Sequence, residues 1–181
     1  GADLKEFDTA PSLVIARQVR WERDVWGVLL SLDKPLVAAL HGFVLGTGVE
    51  MALMCDLRIA TEDAIFGLPE VSLGMIPAAG GTQTLPRILG IPAALELLLT
   101  SGRIDGNEAL RLGLVHRIVP KESLYSEAEA LLLHILGVGQ QAVRATKMAL
   151  ARGLMLPLEQ SLELEERIAR QVMSDRKKEV L

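Results

Sequence analysis

The stretch from Lys34 to Arg58, KPLVAALHGFVLGTGVEMALMCDLR, constrains the fold more than any other part of the chain. Its apolar run from Leu36 to Leu40 is bounded by a proline and a glycine, which is the pattern of a buried strand with both faces covered. Gly46-Thr47-Gly48 then breaks the chain, and Val49 to Cys55 has helical composition. Such a helix start offers free backbone N–H groups and a positive dipole end. The arrangement suits a developing negative charge, such as the oxyanion of a polarised carbonyl.

Glu50 lies in the first turn of this predicted helix, and no other charge follows before Asp56. An acid in apolar surroundings is a candidate for proton transfer. An acid at this position also stabilises a helix through its dipole, without any catalytic role. A Gly-x-Gly turn before a helix is common, so the residues alone leave both interpretations of Glu50 open.

The composition predicts a globular protein with one core, or one core with an appendage. Half of the 181 residues are hydrophobic, 23% are charged and the net charge is −4. The basic residues are dispersed, so we expect no nucleic-acid partner. Cys55 is the only cysteine, and the three histidines are far apart in sequence, so we expect neither a disulfide nor a metal. Apolar runs are too short for a membrane span, and we expect no membrane partner. A cytoplasmic location is expected, with the mitochondrial matrix as the alternative if a targeting segment precedes Gly1.

Three motifs together closely resemble the crotonase (enoyl-CoA hydratase/isomerase) superfamily. They are the opening GADLKEF, the central HGFVLGTGVEMALMCDLRIA and, at 66–83, FGLPEVSLGMIPAAGGTQ. The resemblance runs over essentially the whole chain, and the motifs occur in the family's order. It implies an α/β fold, with a crotonase-type ββα spiral core over residues 1–120 whose N-terminal strands are missing. A C-terminal helical oligomerisation region over 121–181 would follow, with a domain boundary near Pro120.

The resemblance is closest to enoyl-CoA hydratase, a lyase of fatty acid β-oxidation that adds water to a 2-enoyl-CoA thioester. It implies that Glu50 and Glu70 are catalytic and both face the double bond. The backbone N–H groups of Ala2 and Thr47 would form the oxyanion hole for the thioester oxygen. Coenzyme A belongs to the substrate, so no separate cofactor is expected. The implied substrate-binding residues are Ala2, Asp3, Leu4, Lys5, Gly46, Thr47 and Gly48.

Other functions remain open within the resemblance. A delta-isomerase typically needs only one acid at these positions, so the pair of Glu50 and Glu70 favours the hydratase over it and over other acyl-CoA enzymes of the family. A non-catalytic binding module is disfavoured by the intact glutamates. Which glutamate is acid and which is base stays undecided. Thr47 and Ala78 stand where the family commonly has glycine, and this leaves the acyl specificity open.

The remaining sequence predicts mainly helices separated by short strands. A crowded apolar run at 131–136 within the C-terminal helices predicts a homotrimer or a dimer of trimers, as the family assembles. Because the chain begins inside the GADLKEF motif, we also expect it to be part of a longer protein. The predicted helices are 12–32 (interrupted near Gly27), 82–89, 92–99, 106–112, 121–135, 140–152 and 157–174, and the predicted strands are 36–40, 57–60, 64–66 and 114–119.

Overall fold

The structure is a computed structural model that describes residues 24–179 and six isolated positions before them. Side chains are described as far as Arg176. The isolated positions are Lys5, Ser12, Val14, Ile15, Gln18 and Glu22. The helices from residue 24 onward are α1 Val25–Ser31, α2 Thr47–Leu53, α3 Gly81–Leu89, α4 Ile91–Thr100, α5 Gly106–Arg111, α6 Leu124–Leu136, α7 Gln140–Gly153 and α8 Leu158–Glu179. The strands are β1 Val37–Leu40, β2 Phe43–Leu45, β3 Leu57–Thr61, β4 Ile65–Gly67, β5 Arg103–Asp105 and β6 Arg117–Val119, and 3-10 turns occupy Pro69–Leu73 and Lys121–Ser123.

The strands form two three-stranded sheets. The first is parallel with the order β1-β3-β6, and Ile59 of β3 is paired with Ala39 on one side and Arg117 on the other. The second has the order β2-β4-β5, in which β2 and β4 are parallel and β4 and β5 antiparallel. The parallel pairing of β2 with β4 places Leu45 opposite Gly67. The residues that follow these two strands therefore leave the sheet at the same end, beyond the C-termini of both strands.

The buried strand of the first sheet is β3, which carries apolar residues and one buried arginine. The expectation that the run from Leu36 to Leu40 is covered on both faces is wrong for the described chain. All four residues of β1 are half-buried, and among the described residues β1 pairs on one side only, with β3. The core packs α2, α3, α4 and α5 against the sheets through buried side chains that include Val49, Phe66, Leu85, Leu97 and Ala109.

Several boundaries differ from the sequence predictions. The interruption predicted near Gly27 lies at Asp24, the residue before α1. Helix α1 runs through Gly27, whose N–H donates to the Asp24 carboxylate at 2.9 Å. Strands β2 and β5 were not predicted. The strand expected over 114–119 is reduced to Arg117–Val119. The Leu114 carbonyl accepts the Arg58 side chain at 2.6 Å, which diverts it from strand pairing.

Arg58 is buried, and its side chain donates hydrogen bonds to three backbone carbonyls. Besides Leu114, its guanidinium donates to the carbonyls of Cys55 at 2.6 Å and Ala52 at 3.4 Å, where α2 ends. The Arg58 backbone N–H donates to His116 Nδ1 at 3.1 Å. Burial lowers the pKa of Arg58, and burial beside this cation lowers the pKa of His116. This network fixes the end of α2 against the segment that enters β6.

The described chain divides into two compact units. One contains the described residues before Asp33 and residues 36–128, and so includes both sheets. The other contains Asp33–Pro35 and the chain from Glu129 onward. In the second unit, α7 and α8 pack together along an apolar groove of ≈ 740 Å³, lined mainly by alanine and leucine side chains. In the part of the chain that the structure describes, no helix has the length and apolar character needed to cross a bilayer.

Candidate active site

The predicted glycine turn connects β2 to α2. Gly46 has φ 53° and ψ −124°, a backbone conformation that residues with a Cβ rarely adopt. Its N–H donates to the Gly67 carbonyl at 2.9 Å, and its carbonyl accepts the Glu50 N–H at 3.1 Å. Thr47 and Gly48 follow as the first residues of α2, where backbone N–H groups have no acceptor within the helix. The turn therefore joins the C-terminal end of β2 to the N-terminus of α2, where backbone N–H groups can donate hydrogen bonds.

Glu50 lies on the buried face of α2 and is only 2% exposed. Its Oε1 accepts backbone N–H groups from Ala79 and Gly81, each at 2.9 Å. A buried carboxylate needs such partners, because an unpaired buried charge is costly. Two backbone donors on one oxygen fix the orientation of this side chain.

Glu70 follows Pro69 in the 3-10 turn after β4 and is half-buried. Its Oε1 lies against Gly46, where an added Cβ would be 2.7 Å away. Its Oε2 is buried and has no hydrogen-bond partner among the described residues. Burial is the main cause of the raised pKa of Glu70, and the nearby Glu50 carboxylate raises this pKa further. A hydrogen bond from the backbone N–H of Glu70 acts in the opposite direction. An acid with a raised pKa that is close to a second carboxylate is suited to donating a proton.

The fold explains why two acids separated by 20 positions come together. Strands β2 and β4 are parallel neighbours, so Gly46 emerges beside Gly67 and the chain continues from there to Glu70. Glu50 stands one helical turn beyond Gly46, to whose carbonyl its N–H is bonded. The structure therefore places Gly46, Thr47, Gly48, Glu50 and Glu70 in one region.

Other predicted site residues are placed differently. Ala2, Asp3 and Leu4 lie outside the described residues, so the second half of the oxyanion hole stays a prediction. Lys5 is described and exposed, and Ala78 is exposed beside the turn that contacts Glu50. Across the described residues, no three His, Cys, Asp or Glu side chains are grouped as metal ligands.

The sequence predictions missed the donors to Glu50. The N–H groups of Ala79 and Gly81 contribute through the backbone, which leaves no signal in side-chain chemistry. The one available signal was the glycine pair at 80–81 before a predicted helix, which is typical of a turn where another group approaches the backbone closely.

Comparisons with known proteins show the family of the chain. The family model described as Enoyl-CoA hydratase/isomerase matches residues 1–180. A crotonyl-CoA hydratase from Syntrophomonas wolfei is 43% identical over 165 residues, which are 91% of this chain and 64% of that protein. This chain thus spans just under two thirds of the length of that relative.

Solved structures give the same result. An enoyl-CoA hydratase from Bacillus anthracis superposes with a TM-score of 0.90 at 38% identity, covering 96% of this chain and 67% of the other. A Thermobifida fusca protein solved in complex with CoA superposes with a TM-score of 0.90 at 31% identity, covering 98% of this chain and 72% of the other.

Proposed function

This chain belongs to the enoyl-CoA hydratase/isomerase family, and on that premise we propose that it hydrates a 2-enoyl thioester of coenzyme A. The observation that carries the proposal is the convergence of two acids in different environments. Glu50 is buried and accepts two backbone N–H groups, whereas Glu70 has an unpaired buried oxygen and a raised pKa. Two carboxyl groups with different environments can divide the acid and base duties of a hydration.

In this proposal, the thioester carbonyl is polarised by backbone N–H groups. Thr47 supplies one of them from the first position of α2, through a backbone N–H that every non-proline residue carries. Ala2 supplies the other, on the strength of the family resemblance. Donors placed where charge develops stabilise the enolate-like transition state, and removing one such donor typically costs about 10²–10³-fold in kcat.

The acids act on a single water molecule and on the double bond. Glu50 accepts a proton from the water while the water oxygen bonds to the β carbon. Glu70 gives its proton to the α carbon, so that the elements of water are added across the bond. Transfer of a proton from Glu50 back to Glu70 restores both groups. The raised pKa of Glu70 supports its assignment as the acid, because it keeps the proton available at higher pH.

The test is a direct assay with crotonyl-CoA. We expect the absorbance of the conjugated thioester to fall as water adds, and mass spectrometry to detect 3-hydroxybutyryl-CoA. A 3-enoyl-CoA serves as the second substrate, since an isomerase would convert it to the conjugated 2-enoyl form. Isomerisation without hydration would replace this proposal by the delta-isomerase alternative. Binding of CoA without either reaction would favour a non-catalytic module.

The same proposal extends to assembly and cellular role. An acyl-CoA is the small-molecule partner, and the reaction suits fatty acid β-oxidation in the cytoplasm, with the mitochondrial matrix as the alternative. A homotrimer or a dimer of trimers is the proposed assembly. It is supported by exposed leucines on α6, where Leu133 is 60% and Leu136 is 62% exposed.

A further inference from the structure

Helix α3 begins without a side-chain cap of its own. Gly80 is the residue before it, and the first backbone N–H groups of a helix have no partner inside the helix. The Gly80 carbonyl accepts the Thr84 N–H at 2.8 Å, whereas the Gly81 N–H donates to Glu50 Oε1 at 2.9 Å. Glu50 thus caps α3 from a neighbouring helix, although 31 positions separate the two residues.

The turn that holds Glu50 is shaped by a left-handed residue. Gly80 has φ 110°, and the N–H groups on either side of it, from Ala79 and Gly81, both donate to the same oxygen. Backbone N–H groups that flank a left-handed residue form a concave site for an anionic oxygen. Oε1 is therefore fixed from two directions, and the turn leaves Oε2 unengaged.

Gly81 also contacts Glu50 too closely to tolerate a side chain. A Cβ at position 81 would lie 3.0 Å from Glu50 Oε1, 3.3 Å from its Cγ and 2.7 Å from the Cβ of Pro77. Both the acceptor oxygen and the stem of the carboxylate meet this position. A methyl group there would displace the Glu50 side chain, or Pro77, or both.

We propose that Gly81 is a positioning residue for the reaction: the 79–81 turn holds Oε1 of Glu50 so that Oε2 receives the proton of the attacking water. This inference rests on the proposed function, in which Glu50 is the base. Gly81 does not touch the reacting atoms and acts only through the carboxylate that it orients. Misplacement of a catalytic group by about 1 Å can lower the rate by about 10²-fold.

The test is a double-mutant cycle on crotonyl-CoA hydration. We expect Gly81→Ala to lower kcat by about 10–100-fold while KM changes by less than about 3-fold, because substrate contacts are unaltered. In the Glu50→Gln background, Gly81→Ala should change kcat by less than about 2-fold, because residues that act as a unit are not additive. If Gly81→Ala instead lowers kcat by its full factor in both backgrounds, it acts independently of Glu50 and the inference is wrong.

The matched control is Gly139→Ala, whose added Cβ would meet only the Ala142 Cβ at 3.9 Å. It should keep wild-type kcat and KM. A wild type without hydratase activity overturns the proposed function, whereas an active wild type with Gly81→Ala indistinguishable from this control overturns only the role of Gly81.

A second pair of variants keeps the test decisive if Gly81→Ala does not fold. Pro77→Gly removes the Cβ that lies 2.7 Å from the added methyl group, so Pro77→Gly/Gly81→Ala retains mainly the contact with Glu50. We expect kcat of the double variant to stay about 10-fold or more below that of Pro77→Gly alone. Equal kcat values for the two would assign the defect to Pro77 and refute the positioning role.

Discussion

The carboxylate of Glu70 lies against the backbone of Gly46, where a Cβ would come within 2.7 Å of Glu70 Oε1. Two independent constraints thus act on position 46. Its φ of 53° and ψ of −124° favour glycine, and the space that a side chain would need is occupied by the second acid. The turn that starts α2 and the placement of Glu70 consequently depend on the same residue.

Gly46→Ala should therefore impair both stability and activity. The strained backbone alone should lower the free energy of unfolding by about 1–3 kcal/mol. Displacement of Glu70 should lower kcat for crotonyl-CoA hydration by about 10-fold or more. Urea unfolding and steady-state kinetics measure the two effects.

The control is Gly42→Ala, because Gly42 has φ 60° but nothing lies within 4 Å of its added Cβ. It should lose stability through backbone strain while keeping kcat. An equal loss of kcat in both variants would mean that strain, and not the contact with Glu70, accounts for the effect of Gly46→Ala.

Substitutions of Glu50 should separate its capping role from its catalytic role. Glu50→Gln keeps an amide oxygen for the Ala79 and Gly81 N–H groups, so the free energy of unfolding should change by less than about 1 kcal/mol. Its kcat should nevertheless fall by about 10²–10⁴-fold, the usual contribution of a general base. Glu50→Ala should lose kcat equally and also about 1–3 kcal/mol of stability, because buried donors lose their acceptor.

Urea unfolding and kinetics on the same preparations check this prediction. Near-normal kcat in Glu50→Gln would contradict the catalytic role. Equal stability of Glu50→Ala and wild type would contradict the capping role.

The sequence located the parts of the site that local patterns encode. The glycine turn at 46–48 and the first-turn acid Glu50 follow from residue order within a few positions. The meeting of Glu50 with Glu70 does not, because it depends on the parallel pairing of β2 with β4. Both strands are three residues long, and β2 was not predicted at all. Only the family resemblance brought the two acids together before the structure did.

The sequence also did not reveal which backbone N–H groups bind Glu50. The N–H groups of Ala79 and Gly81 point at Glu50 because of the left-handed Gly80, and every non-proline residue carries the same group. The bounds of α3 and α4 were predicted to within about two residues, because glycines at 80, 90 and 102 flank the two helices.

Exposed leucines in the helical region predict self-association. Leu133, Leu136, Leu154 and Leu158 are each at least 60% exposed, which a monomer disfavours. We expect light scattering at micromolar concentration to give three or six times the 19.6 kDa of this chain. A monomer mass would overturn the proposed assembly.

Replacing two of these leucines tests the surface itself. Leu133→Ser/Leu136→Ser should lower the mass measured by light scattering while circular dichroism stays unchanged, because the substitutions remove exposed apolar contacts only. The control is Glu127→Ser/His134→Ser, which changes two exposed polar positions that face away from Leu133 and Leu136 on the same helix and should keep the assembly. An unchanged mass in the leucine variant would exclude this face of α6 from the interface.

The raised pKa of Glu70 predicts a pH-dependent cost in stability. A carboxyl group with a raised pKa binds its proton more tightly in the folded protein than in the unfolded chain. The Glu70 carboxyl therefore contributes favourably to the free energy of unfolding when the pH is below its ordinary pKa of 4.5. This contribution is lost as the pH rises through the pKa of the folded protein. Glu70→Gln removes this loss, so the variant should gain stability relative to wild type between about pH 4.5 and neutral pH, although its kcat falls by about 10²–10⁴-fold.

Asp63→Asn is the mirror-image control, because the Thr61 hydroxyl and Lys121 lower the pKa of Asp63. Its variant should lose stability relative to wild type at neutral pH, and the difference should vanish as pH falls below the pKa of the folded carboxyl. Urea unfolding from about pH 2.5 to pH 7.5 measures both, because the pKa of the folded Asp63 carboxyl lies below its ordinary value of 3.8. A Glu70→Gln curve that runs parallel to wild type above pH 4 would show that the Glu70 carboxyl is not destabilised by burial.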